Sequence, residues 1–251
     1  MLMEDKPGGE LWKVLGCSFL LLVLTSLLIA TIATVVVTRW SAPPPAIRKH
    51  LKAANAGDAV AMLQIGDIYA NGDSVKRDYD EAMRWYHQAA DTGEADAMIK
   101  VGDMYASGIG VSQDNDEALR WYRQAADEGN AIAMLKIGSM YDNGDGVNQD
   151  RNEAMRWYQQ AAERGNADAV FNIASMYANG HGVTQDYGEA MDWFRRAADN
   201  GHVGAMVNIA FMYDNGHGVE ENYDEAMRWY SKAAENGDAD AKEILASRNI
   251  K

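Results

Sequence analysis

The side chains best suited to chemistry in this chain stand on one recurring helical stripe. Asp96, Lys100 and Asp103, then Lys136 and Ser139, then Asn172, then Asn208 and Phe211 occupy equivalent positions in successive copies of a 36-residue pattern. A row of carboxylate, ammonium, hydroxyl and amide groups can hydrogen-bond an extended peptide backbone. Lys100 and Lys136 would then serve acidic side chains, and Phe211, with Asn208 beside it, would be an apolar anchor. The same residues also read as a solvated helix face on which Lys100 pairs with Asp96 and Asp103. Both readings stay open at this point.

Other chemistries find no support in the residues. His181 and His217 occupy equivalent loops of successive repeats, which is turn placement and too far apart for one metal. Asp142-Asn-Gly-Asp145 lacks the oxygen-ligand spacing of a calcium loop. The sole cysteine, Cys17, excludes a disulfide framework and a Cys-rich metal site. No nucleophile with a partnering base and no phosphate-binding glycine motif stands out. The expectation is therefore no catalytic, cofactor or metal site, no small-molecule substrate and no enzyme activity.

What must position the stripe is a repeated pair of helices. Glu81-Ala-Met-Arg-Trp-Tyr returns as Glu117-Ala-Leu-Arg-Trp-Tyr, Glu153-Ala-Met-Arg-Trp-Tyr, Glu189-Ala-Met-Asp-Trp-Phe and Glu225-Ala-Met-Arg-Trp-Tyr. A fixed period of this size predicts a solenoid. In the first helix Met62, Ile65, Gly66 and Tyr69 follow the i, i+3, i+4, i+7 spacing of one buried stripe. Gly66, Gly102, Gly138, Ala174 and Ala210 are small where a neighbouring helix should approach. Asn71-Gly72 and its equivalents end that helix, and a Gly-x-Gly-Val loop follows. The first copy has Ser74 in place of the second glycine, which predicts a strained or differently turned loop. Asp78, Asp114, Asp150, Asp186 and Asn222 each precede a glutamate by three residues, the signature of a reciprocal capping box. The second helix is expected to bury Ala82, Trp85, Tyr86, Ala89 and Ala90. One such pair cannot cover a tryptophan and two tyrosines, so the copies must shelter one another.

The columns A-x-A-M-x-x-[IV]-[GA]-x-[IM]-Y, [NS]-G-x-G-V and E-A-[ML]-x-W-[YF]-x-x-A-A-x-x-G resemble the Sel1-like repeat, a relative of the tetratricopeptide repeat. The resemblance covers residues 47–248, with five full repeats at 59–94, 95–130, 131–166, 167–202 and 203–238 and a half-repeat cap at each end. It implies an all-α, right-handed α-solenoid whose first helices line an inner groove, used in that family as an adaptor for protein partners. Family members linked to β-lactam hydrolysis carry cysteine pairs in their repeats, which this chain lacks. At the caps, Lys49 stands where the repeats have tryptophan, and Lys242 and Arg248 stand where they have methionine. Ending on a half-repeat speaks against a further enzyme domain.

The front of the chain is of another kind. After a short tail (1–13), Val14 to Thr38 runs for 25 residues without a charge. As a helix that run reaches ~37 Å, enough to cross a bilayer core. Lys13 and Arg39 bracket it beside Trp12 and Trp40. It is too long for a cleavable signal peptide, so it reads as one uncleaved transmembrane helix, followed by a Pro-rich linker (39–46). Arg39, Arg48, Lys49 and Lys52 favour a cytoplasmic repeat domain, whereas the short tail and large following domain have the layout of a signal-anchor; the reading leans extracytoplasmic or periplasmic.

Residues 46–251 carry the whole formal charge of −14, and such a surface repels phosphate backbones, so nucleic acid is excluded as a partner. The expectation is a single-pass membrane scaffold that binds a protein or peptide in the solenoid groove. The alternatives are a self-assembling structural component and a cell-envelope hydrolase.

Overall fold

The computed structural model describes residues 43–248, all helix and connecting loops. The expected tail (1–13), transmembrane segment (14–38) and the first part of the linker lie outside the described residues. Among those described, no helix is long and apolar enough to cross a membrane. The chain divides into two compact units, Met1–Lys49 and His50–Lys251. The described part of the first unit opens helix α1 (Pro45–Ala54), which begins inside the stretch expected to be linker. Proline suits the first position of a helix, where its missing N–H would have no partner, and the Arg48 guanidinium reaches back to the Pro43 carbonyl at 3.1 Å.

Five helix pairs follow. They are α2 (Ala59–Asn71) with α3 (Tyr79–Ala90), α4 (Ala95–Ser107) with α5 (Asn115–Asp127), α6 (Ala131–Asn143) with α7 (Arg151–Glu163), α8 (Ala167–Asn179) with α9 (Tyr187–Asp199) and α10 (Val203–Asn215) with α11 (Tyr223–Glu235). A lone first-type helix, α12 (Ala239–Arg248), closes the array. From α2 onward each helix packs on the next in chain order, most closely within a pair. The result is a solenoid.

The helix starts differ from the reciprocal box in one respect. Asp78, Asp114, Asp150, Asp186 and Asn222 each accept from the backbone N–H three residues on, as expected. The glutamates do not return the bond. Instead the cap residues donate their own N–H groups to the carbonyls of Tyr69, Tyr105, Tyr141, Tyr177 and Tyr213 in the preceding helix. Those carbonyls belong to a helix's last turn and have no partner within it. The returning loop satisfies donor and acceptor at once, so Glu81, Glu117, Glu153 and Glu225 turn to the arginine one helical turn on.

The core also departs from expectation. The tryptophans are only half-buried in all five copies, and the aromatic that closes the core is the next residue: Tyr86, Tyr122, Tyr158, Phe194 and Tyr230 are each 2–3 % exposed. One residue is about 100° around a helix, which puts the indole on the rim. There Trp157 Nε1 donates to Glu153 Oε1 at 3.0 Å and Arg196 lies over the Trp193 ring at 3.9 Å, while Trp121 Nε1 is buried without a partner among the described residues. Burying one such Tyr or Phe ring is worth at most ~4–6 kcal/mol, from ~150–250 Å² of surface.

The small column has a specific cause. A Cβ added at Gly102 would lie 2.6 Å from Tyr122 Cε1, and at Gly66 2.4 Å from Tyr86 Cε1. The approaching object is the ring of the same repeat, laid on bare backbone. Ser74 adopts φ 64° in the turn where the other copies hold glycine at φ 72–76°. The turn is thus kept and the serine carries the strain, which for a residue with a side chain is about 1–2 kcal/mol.

At the last helix, Arg248 takes the register position of Met212 and reaches back to both carboxylate oxygens of Asp214, at 2.9 and 2.5 Å. Its guanidinium also lies 5.5 Å from the ring centroids of Tyr223 and Tyr230. A cation so placed ties α12 to the last helix pair. Arg248→Ala is expected to cost α12 about 1–2 kcal/mol of local stability, read as faster amide hydrogen exchange in α12 with α4 to α7 unchanged.

Candidate functional site

The surface with the most varied chemistry is formed by the first helices together with the tips of the second. Its hydrogen bonds run from repeat to repeat. The Tyr86 hydroxyl donates to Asp67 Oδ1 at 2.8 Å, and Lys100 of the next repeat reaches the same carboxylate oxygen at 3.5 Å. One repeat on, Tyr122 donates to Asp103 at 2.7 Å and Lys136 lies 2.8 Å from it. In the third repeat Ser139 and Asn172 lie beside the Tyr158 phenol. In the first two repeats a lysine of the following repeat thus reaches back to the carboxylate that holds the buried phenol.

Burial, the hydrogen bond and the charge of Asp67 push the Tyr86 phenol far above its ordinary value, as burial and Asp103 do for Tyr122. Burial, then the Asp142 charge, raises Tyr158 to about 12. All three are neutral donors at ordinary pH. Their contribution to stability is full below pH 10 and declines as pH climbs from there.

In the fourth and fifth repeats the chain of bonds stops. Phe194 has no hydroxyl, and Phe211 stands where the earlier copies have Asp67, Asp103 or Ser139. Asn208, the counterpart of Lys100, Lys136 and Asn172, instead donates Nδ2 to the Gly204 carbonyl of its own helix at 2.9 Å. Asn179 and Asn215 do the same to the carbonyls of Ser175 and Phe211, at 2.8 Å each. An amide group that donates to a carbonyl must point its nitrogen inward, so these side chains turn oxygen outward.

The expected ladder residues accordingly fall into two sets. Lys100, Asp103, Lys136, Ser139 and Asn172 face the expected surface, but they are engaged with the structure itself. The pairing of Lys100 with Asp96 and Asp103 is not what forms; its partner is Asp67, one repeat earlier. Asp96 accepts from Asn130, the cap of the following first helix, at 3.0 Å. Asn208 and Phe211 make no such cross-repeat bond, and Phe211 is 49 % exposed.

Hollows open at one register between successive first helices. The largest, about 420 Å³, lies between α2 and α4, with Asp67, Tyr79, Lys100, Asp103 and Ile109 on its walls. The second, about 300 Å³, holds Asn115, Lys136, Ser139 and Asp145. The hollow between α8 and α10, about 160 Å³, is walled by Tyr187, Phe194, Phe211 and His217 with Asn179 and Asn208. His217 stacks on Tyr187 at 4.7 Å between centroids and meets Phe211 edge-on at 5.7 Å, which gives this turn histidine an aromatic role. Among the described residues no three His, Cys, Asp or Glu side chains are grouped to hold a metal. Tyr187 escaped the sequence reading, and His217 is read there only as a turn residue. The signal for Tyr187 is that Tyr79, Asn115, Arg151, Tyr187 and Tyr223 share a register position that varies in size and charge.

The internal use of Asp103 has a measurable consequence. Asp103→Ala leaves the Tyr122 hydroxyl without its acceptor and is expected to cost about 1–3 kcal/mol. Lys136→Met removes a partly solvated pair and is expected to cost less than about 1 kcal/mol. Urea denaturation of both variants tests the ordering.

Comparison with known proteins places this architecture. The Sel1 repeat model matches residues 59–93, 95–130, 131–166, 167–202 and 203–238. Among solved structures, a Sel1 repeat protein from Oxalobacter formigenes is 33 % identical, with 82 % of this chain and 90 % of that one covered and a TM-score of 0.72. The protective antigen c5321 of uropathogenic Escherichia coli is 35 % identical over 78 % of this chain, with a TM-score of 0.71. The match spans 42 % of that antigen's length. An immunity protein, Pa5087 of Pseudomonas aeruginosa, shares the fold at 18 % identity and a TM-score of 0.54. No curated protein matches. With five consecutive repeats matched and a full-length relative at one-third identity, the chain belongs to the Sel1 repeat family.

Proposed function

We propose that this chain is a membrane-anchored, non-catalytic adaptor that takes a protein or peptide segment along the face of its first helices. The observation that carries the reading is the recurrence of hollows at one register between successive first helices, with walls that change from charged to aromatic along the row. A row of this kind offers separate side-chain receptacles with a different chemistry at each, as recognition of an extended segment requires. Val14 to Thr38, uncharged and bracketed by Lys13 and Arg39, supports the anchor. The repeats would then stand on the extracytoplasmic side, as a short tail before a long apolar run suggests. End-to-end assembly is disfavoured by Lys242, an exposed ammonium at the register of buried Met206.

Photo-crosslinkable residues at positions 100, 136 and 211 are expected to capture one discrete partner in the native membrane. Positions 88, 124 and 228 on the second helices are expected to capture none. Capture from the second helices alone would contradict the reading. A topology reporter fused after Lys251 is expected to be active outside the cytoplasm, and activity inside would reverse the orientation.

A further inference from the structure

The hollow between α8 and α10 differs from its counterparts in what it lacks. Neither 167–186 nor 203–222, the first-helix and loop stretches on two of its sides, contains a lysine or arginine, and Tyr187 and Phe194 of α9 complete the walls. The equivalent stretches of the second and third repeats carry Lys100 and Lys136, and those cations neutralise their own hollows. Between Ala167 and Asp238 stand twelve acidic and four basic side chains. All four cations, Arg195, Arg196, Arg228 and Lys232, belong to the second helices; Arg195 lies near Asp192 and donates to the Tyr213 hydroxyl of α10 at 2.9 Å, and the others lie against Trp193, Glu225 and Trp229.

The polar groups of the walls point the same way. Asn179 and Asn208 each donate one N–H to their own helix and keep the amide oxygen free to accept. The Tyr187, Phe211 and His217 rings form an interlocked cluster at its mouth. Amide groups and π-faces line the hollow, and the acidic excess of the two repeats around it adds a field that favours cations over carboxylates.

We propose that this hollow receives the side chain of a lysine or arginine from a basic partner peptide. The aliphatic stem would lie on Phe194 and Met212, and the charged head would meet Asn179, Asn208 and the Phe211 ring. The proposal rests on the groove reading above and adds to it the partner's chemistry and the repeats that read it. The row of hollows thereby acquires a direction, with self-neutralised positions at one end and a cation receptacle at the other.

The test is fluorescence anisotropy with the full-length chain and four short labelled peptides of one design, bearing lysine, arginine, norleucine or glutamate at alternate positions. The lysine and arginine peptides are expected to bind, and the norleucine and glutamate peptides to bind at least about tenfold more weakly. Phe211→Leu, which keeps bulk and charge but removes the π-face, should weaken the lysine peptide roughly 3- to 10-fold. Asn208→Lys should weaken it further, while Gln124→Ala, on a second helix away from the row of hollows, should leave it unchanged. Matching melting curves exclude unfolding as the cause. Norleucine binding as tight as lysine, indifference to both Phe211→Leu and Asn208→Lys, or no binding of either basic peptide would each overturn the proposal. Such a result alongside preserved crosslinks from positions 100 and 136 would remove the cation site and leave the groove reading standing.

Discussion

Everything in this array depends on one contact, an aromatic ring of each second helix laid on a first-helix position with little or no side chain. The ring of Tyr122 sits so close to Gly102 that a single added carbon would be 2.6 Å from it. The pair is thereby locked in distance and rotation, and the small residues around it, Ala82, Ala118, Ala154, Ala190 and Ala226, are fully buried. Once the helices of a pair are fixed in this way, the next first helix has a defined surface to lean on.

The hydroxyl on that ring explains a variation that packing alone does not. Where the phenol bonds the residue after the small one, as Tyr86 does with Asp67 and Tyr122 with Asp103, the small residue is glycine. Tyr158, with Ser139 beside its phenol, likewise lies over a glycine, Gly138. Where the bond cannot form, because Phe194 lacks the hydroxyl or Phe211 lacks the acceptor, the small residue is Ala174 or Ala210. A tethered ring is held down on the backbone, and an untethered one can rise by the width of a methyl group. The polar ladder, the glycine column and the free hollow of the last repeats are consequences of that tether being present or absent.

Much of this was legible in the residues. The period, the helix pairs, the αL glycines and the cap residues all carry local signatures, and each appears at the expected position. The role of Trp was misjudged because size suggests core, whereas the helix rotation between Trp85 and Tyr86 assigns the core to the tyrosine. The glutamate half of the capping box was misjudged because the competing acceptor, the Tyr69 carbonyl, belongs to another helix and has no sequence signature at that distance. Lys100 shows the same limit. Its neighbours within the helix suggested Asp96 and Asp103, and its partner Asp67 lies 33 residues earlier. Contacts within one helix follow from spacing, and contacts across repeats follow from a geometry that only the stack creates.

The central claim is that tether and glycine form one device, and a double-mutant cycle at Gly102 and Tyr122 tests it most directly. Gly102→Ala alone should destabilise the chain, because overpacking by a methyl costs about 1–3 kcal/mol against a helix-propensity gain of about 1 kcal/mol. Tyr122→Phe alone should cost about 1 kcal/mol through the lost hydrogen bond. Combined, the released ring can lift off the new methyl, so the double variant should be more stable than the sum predicts by about 1 kcal/mol or more. Additivity within about 0.5 kcal/mol would show that ring and glycine act independently, and would contradict the account.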